Sequence, residues 1–189
     1  APNVENHGVI MSPGGQIVLA AGKTVELVDP QTPNLRVEVT ASDNQALNVG
    51  KLVADNGSIG VYAGLIRNSG TIRANGVTVD ESGRILLVAK QEVTLDKDSV
   101  VTANSAKGGE IRITSAFNNP GLLNVNSGVL QLTNSATNAG TINIRAGATL
   151  KRSGGTYTNN GLINGSGTFD TTGSTLFNLS LIHISEPTR

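Results

Sequence analysis

The sequence predicts an all-β solenoid, a parallel β-helix of about twenty residues per coil, and three observations carry that expectation. A short phrase recurs along the chain: one or two polar residues, a glycine, any residue, then an aliphatic side chain. The runs between the phrases alternate apolar and polar residues with period two. No window sustains a 3.6-residue period, so almost no helix is expected.

The phrase begins at Asn6-His-Gly-Val-Ile10 and returns at Asn56-Gly-Ser-Ile59, Asn68-Ser-Gly-Thr-Ile72 and Glu81-Ser-Gly-Arg-Ile85. It continues at Lys107-Gly-Gly-Glu-Ile111, Asn119-Pro-Gly-Leu-Leu123, Asn138-Ala-Gly-Thr-Ile142 and Asn159-Asn-Gly-Leu-Ile163. Gly121 to Gly140 spans 19 positions and Gly140 to Gly161 spans 21. Glycine and asparagine at these breaks supply tight turns. Between them, Ile111 and Ile113 oppose Arg112 and Thr114, and Ile142 and Ile144 oppose Asn143 and Arg145. Val37 and Val39, and Val77 and Val79, alternate in the same way. Period-two runs of this length are half-buried strands, so Ile85, Leu87, Ile111, Ile113, Ile142 and Ile144 are expected to face the interior. Roughly nine coils at about 4.8 Å each would make a rod of about 40 Å. A β-sandwich is the alternative, but a fixed period and small corner residues favour the solenoid.

Composition narrows the function. Of 189 residues, 23 are glycine, none is cysteine or tryptophan, and only five are phenylalanine or tyrosine, so aliphatic side chains must build the core. Fourteen basic and fourteen acidic residues give zero net charge, which argues against a nucleic-acid binder. No apolar run is long enough to span a membrane as a helix. The lack of cysteine suits a chain threaded unfolded through a pore, where a disulfide loop would jam.

The chain divides by composition near residue 117. Residues 1–116 carry 22 charged groups, whereas 117–178 carry four. In that second segment 36 of 62 residues are Gly, Asn, Ser or Thr, which suits plain coils whose turn amides stack in ladders. Asp29 to Asn48 reads as an excursion from the coil. The start, Ala1-Pro2-Asn3-Val4, carries no signal peptide and reads as cut from a longer chain. Leu179–Arg189 reads as the in-frame translation of a sequencing adapter, so the native sequence is expected to end near Asn178 and the tail to add no coil.

Few motifs carry chemistry. Gly22-Lys23-Thr24 is no phosphate loop, because Ile17 stands where that motif needs glycine and a strand-like run follows. Gly165 to Asp170 is a broken, unrepeated version of a calcium-binding nonapeptide. Asp96 and Asp98 are expected on one strand face; Asp80 and Glu81 point opposite ways. Paired carboxylates alone are weak evidence of catalysis. His7 has no partners for a metal cluster, and no serine sits in a nucleophile elbow. The Asn56 and Asn164 sequons mark turns. No catalytic, cofactor or metal residue is assigned, and no enzyme activity is expected.

At Asn68-Ser-Gly-Thr-Ile-Arg-Ala-Asn-Gly76 with Glu81-Ser-Gly-Arg-Ile-Leu-Leu-Val-Ala89, the chain resembles the filamentous haemagglutinin-like exoproteins of two-partner secretion. Gly14-Gly-Gln-Ile-Val-Leu-Ala-Ala-Gly22 with Thr24-Val-Glu-Leu27 is similar to the same family's glycine–strand–glycine–strand phrase. This likeness covers about residues 3–116; residues 117–178 resemble the looser repeats of bacterial surface β-helices. It implies a right-handed β-helix, an outer-membrane β-barrel transporter as partner, and a secreted, cell-surface adhesin meeting host or neighbouring-cell receptors or glycans. The nearest string to the family's Asn-Pro-Asn motif is Thr32-Pro-Asn-Leu35, which departs at its first residue. A carbohydrate-active β-helix enzyme and the stem of a contact-dependent toxin are the competing classes. Unpaired strand edges at both ends lead us to expect end-to-end self-association.

Overall fold

The computed structural model describes residues 1–22, 44–76, 83–106 and 108–184. The chain winds through three strand columns, here faces A, B and C. The first coil contributes β1 (Val4–Asn6), β2 (Val9–Met11) and β3 (Gln16–Ala20) to faces B, C and A in turn. Next come β4 (Gln45–Asn48), β5 (Lys51–Val53), β6 (Ser58–Asn68), β7 (Thr71–Arg73), β8 (Arg84–Leu95) and β9 (Val100–Thr102). The long strands β6 and β8 each cross from face A into face B, with an irregularity in their pairing between Ala63 and Leu65. Thereafter each coil has three short strands. They are β10 (Glu110–Ile113), β11 (Ala116–Asn119) and β12 (Leu122–Val125), then β13 (Val129–Leu132), β14 (Ala136–Asn138) and β15 (Thr141–Ile144). The last two coils are β16 (Thr149–Arg152), β17 (Thr156–Asn159) and β18 (Leu162–Gly165), then β19 (Thr168–Asp170), β20 (Thr175–Asn178) and β21 (Leu181–Ile184).

Each strand pairs in parallel with its counterpart one coil away, as in Ile111 with Leu130 and Leu130 with Leu150. Among the described residues there is no helix. The chain is therefore a parallel β-helix, and the predicted fold class holds. From β10 onward the coil length is 19 to 21 residues, read from Glu110–Val129, Val129–Thr149 and Thr141–Leu162. Earlier coils are longer: Ser58 pairs with Arg84, and Gln16 with Ser58. The extra residues leave the coil as loops while the register is kept.

Stacking in register makes the core a set of rows. On face A, Ile17, Ile59, Ile85, Ile111, Leu130, Leu150 and Phe169 succeed one another. All six residues expected inside are buried. Burying one such side chain contributes about 1.5–3 kcal/mol, an upper figure for a real unfolded chain. On face B, Ala136 lies between Phe117 and Tyr157, so a small residue offsets two rings.

The corner between faces B and C explains the recurring phrase. Its asparagines point inward and stack, each Nδ2 donating to the next Oδ1. Asn6 donates to Asn48 (2.8 Å) and Asn48 to Asn68 (2.7 Å). A second run joins Asn119 to Asn138 (2.7 Å), Asn138 to Asn159 (2.8 Å) and Asn159 to Asn178 (2.9 Å). The runs are separated where Leu95 pairs with Asn68, which leaves Asn119 Oδ1 buried without a partner. Two residues past each asparagine, a glycine lets the backbones close. A Cβ on Gly140 would run into the carbonyl oxygen of Gly121, and one on Gly161 into that of Gly140.

Three expectations need correction. Asp29–Asn48 does not stay outside the coil to its end, because Gln45–Asn48 is already β4. The tail does add to the ladder: β21 pairs with β18, and Ile182 and Ile184 pack half-buried on the core. An alternating run such as Leu181-Ile-His-Ile184 stacks on any ladder that precedes it, whatever its origin. Asp96 and Asp98 lie in the turn after β8 and not on a strand face. Lys23-Thr24, Thr32–Leu35, Val37 and Val39, Val77 and Val79, and Asp80-Glu81 lie outside the described residues.

Asn138→Ala should destabilise the protein by about 2–3 kcal/mol, since it orphans the buried amides on both sides. Thr137→Ala, on the outward side of the same strand, should change stability by less than about 0.5 kcal/mol; urea unfolding of both variants checks this. Gly140→Ala should abolish folding by steric conflict. At Gly147, where φ is 78° and space is open, the same change should cost only about 1 kcal/mol of backbone strain.

Candidate interaction surface

Because inward positions are committed to packing, any site must be built from the outward positions. On face B these form two rows along the solenoid. One runs through Thr94, Asn118, Thr137, Thr158 and Phe177. The other holds Glu92 and Ala116, then Ser135 just before β14, then Thr156 and Thr175. A shallow trough lies between them from Glu92 to Thr158. Its side chains are half-buried hydroxyls and amides, and Phe177 stands 54% exposed where the first row ends. Glu92 accepts a hydrogen bond from Thr94 Oγ1 at 2.8 Å.

Face A carries a longer groove beside a glycine-lined corner formed by Gly15, Gly57, Gly83, Gly109 and Gly128. Here a Cβ on Gly57 would strike the Gly15 carbonyl, so this row is imposed by stacking. The groove also holds an Arg84–Glu110 ion pair (3.1 Å), Lys151 and Tyr62, whose ring covers Gly60. Burial pushes the Tyr62 hydroxyl pKa up. Charges of both signs alternate along it, which is no signature of a single charged ligand.

The residues singled out in the sequence are scattered. Asp96 accepts from Arg67 Nε at 2.7 Å, a surface ion pair beside the turn. Asp98 is exposed in the same turn. His7 is exposed and sits 3.1 Å from Glu5. Asp170 caps the turn after β19, where hydrogen bonds from Thr172 hold its carboxyl below the usual range. Asn56 takes a positive φ of 61° in a turn, and Asn164 lies on β18. Among the described residues no three His, Cys, Asp or Glu gather as a metal site. The structure brings none of these candidates together.

One charged residue is inside. Arg152 ends an aliphatic row of Leu19, Val61, Leu87, Ile113 and Leu132, and it is fully buried. Its guanidinium donates to the carbonyls of Leu132 (3.2 Å), Asn134 (2.5 Å) and Gly154 (2.8 Å). It also lies 5.1 Å from the centroid of Tyr157, whose ring meets Phe169 edge-on. Burial lowers the Arg152 pKa and raises that of Tyr157. The carbonyls offset desolvation of the charge and tie two coils together. The sequence offered a signal only in hindsight, through the register that sets Arg152 beside Leu132.

No family model matches the chain, and no curated protein matches it significantly. Among solved structures, the chain is similar to the HMW1 secretion domain from Haemophilus influenzae, with 26% identity and a TM-score of 0.63. The likeness covers 97% of this chain and 60% of that domain, so the chain spans well under two thirds of its neighbour's length.

Arg152→Ala should cost about 3 kcal/mol, because the cavity and the undonated carbonyls add. Arg152→Leu, which continues the aliphatic row, should stay within about 1 kcal/mol of the parent in urea unfolding.

Proposed function

We propose that this chain is a coil-stacked segment of a two-partner-secretion exoprotein, passed through an outer-membrane β-barrel transporter and folded outside the cell. The observation that carries the reading is the likeness to a secretion domain over 97% of the chain. The repeat phrases and the absence of cysteine support it. Its role is geometric: each coil offers the next a ready ladder of hydrogen bonds and a row of side chains.

The finer reading is a surface-displayed adhesin whose outward faces meet receptors or glycans, and whose open ends can associate with one another. Residues 1–116 serve as secretion-domain or early-stalk coils, 117–178 as plain stalk, and 179–189 as an adapter-derived tail. The shortening of the coils from β10 onward, within a continuous solenoid, supports the internal division. The chain works by surface and not by catalysis.

The test is export. The chain, placed behind a signal peptide in a Gram-negative host, should reach the medium only when the barrel transporter encoded beside its gene is co-expressed. Retention in the periplasm despite a functional transporter would overturn the reading. Purified protein should release no products from pectins, alginates or host-type glycans, with or without calcium; any depolymerisation would favour an enzyme.

A further inference from the structure

The face-B trough has a chemical character that export does not require. We infer that it binds an extended, uncharged polysaccharide strand lying along the solenoid axis. This stands apart from the export reading, because it concerns only outward side chains.

The register places Asn118, Thr137 and Thr158 in line, one per coil. Successive rungs are about 4.8 Å apart, so hydroxyl or amide groups repeat on the scale of one sugar ring. Each can both donate and accept, as ring hydroxyls require. At the C-terminal end of the row, Thr158 pairs with Phe177, an exposed ring in position to lie against the apolar face of a pyranose. At the other end, Glu92 retains acceptor capacity beyond its bond from Thr94.

Other occupants fit less well. An added peptide strand needs free backbone groups at a sheet edge, whereas the trough lies on a face whose backbone is already paired. An anionic glycan needs cations. Here the only charge lining the trough is Glu92, and Arg67, at the head of the row, is bound to Asp96. A lipid surface needs apolar area, and this floor is hydroxyl and amide.

The experiment is calorimetric titration of the full chain with cellohexaose, chitohexaose and laminarihexaose, and with a heparin hexasaccharide as the charged comparison. At least one uncharged hexasaccharide should bind. Phe177→Ala and Thr137→Arg should each weaken that binding about tenfold or more, with melting unchanged, whereas Gln131→Ala on face A should leave it intact. Both residues point outward, so the variants should fold, and circular dichroism checks that they do. The inference is overturned if no uncharged hexasaccharide binds at millimolar concentration, if only heparin binds, or if binding survives both face-B substitutions.

Discussion

Parallel coil-on-coil hydrogen bonding fixes the lateral position of every residue against the one above and below, and the remaining features follow from that alignment. With register held, a side chain has no freedom to slip toward better packing; it must suit two particular neighbours. Aliphatic rows such as Ile59, Ile85 and Ile111 answer this by repetition. The Phe117, Ala136, Tyr157 row answers it by alternating size. Extra chain is accommodated only between strands, which is why the early coils lengthen without disturbing the ladder.

The same alignment decides where polar groups can be buried. A lone buried carboxamide would be costly, but one stacked on its equivalents satisfies itself through neighbours already held at the right spacing. Arg152 shows a different solution. It has no equivalent above it, so it draws on carbonyls freed where the chain turns out of face A. Leu95 shows what happens when a rung is omitted: the ladder divides, and an amide oxygen is left over.

The fold was legible because stacking writes its period directly into the sequence. Glycine must recur wherever backbones touch, and inward isoleucines must recur two apart, as at Ile111 and Ile113 or Ile142 and Ile144. The Asn138 and Asn159 ladder was anticipated in the low-charge segment, yet its counterpart at Asn6, Asn48 and Asn68 was hidden by long insertions. Outward surfaces were far less legible. Which outward residues share a row depends on coil lengths that vary, so Thr158 and Phe177 look unrelated until the register is known. The acids that drew attention, Asp96 and Asp98, were judged by spacing alone, and a turn after Leu95 removed the strand that spacing presumed.

The asparagine ladder also has a direction. In every rung the Nδ2 faces the C-terminal neighbour and the Oδ1 the N-terminal one. The carboxamide dipoles therefore add head to tail, as peptide dipoles do along a helix, and each rung polarises the next. A chain of zero net charge thus carries a corner with a negative pole at one end and a positive pole at the other. A group that can only accept, such as a carboxylate, can close this series at its positive pole and nowhere else along it. The two ends of the rod are in this sense chemically distinct, even where their backbone edges are alike.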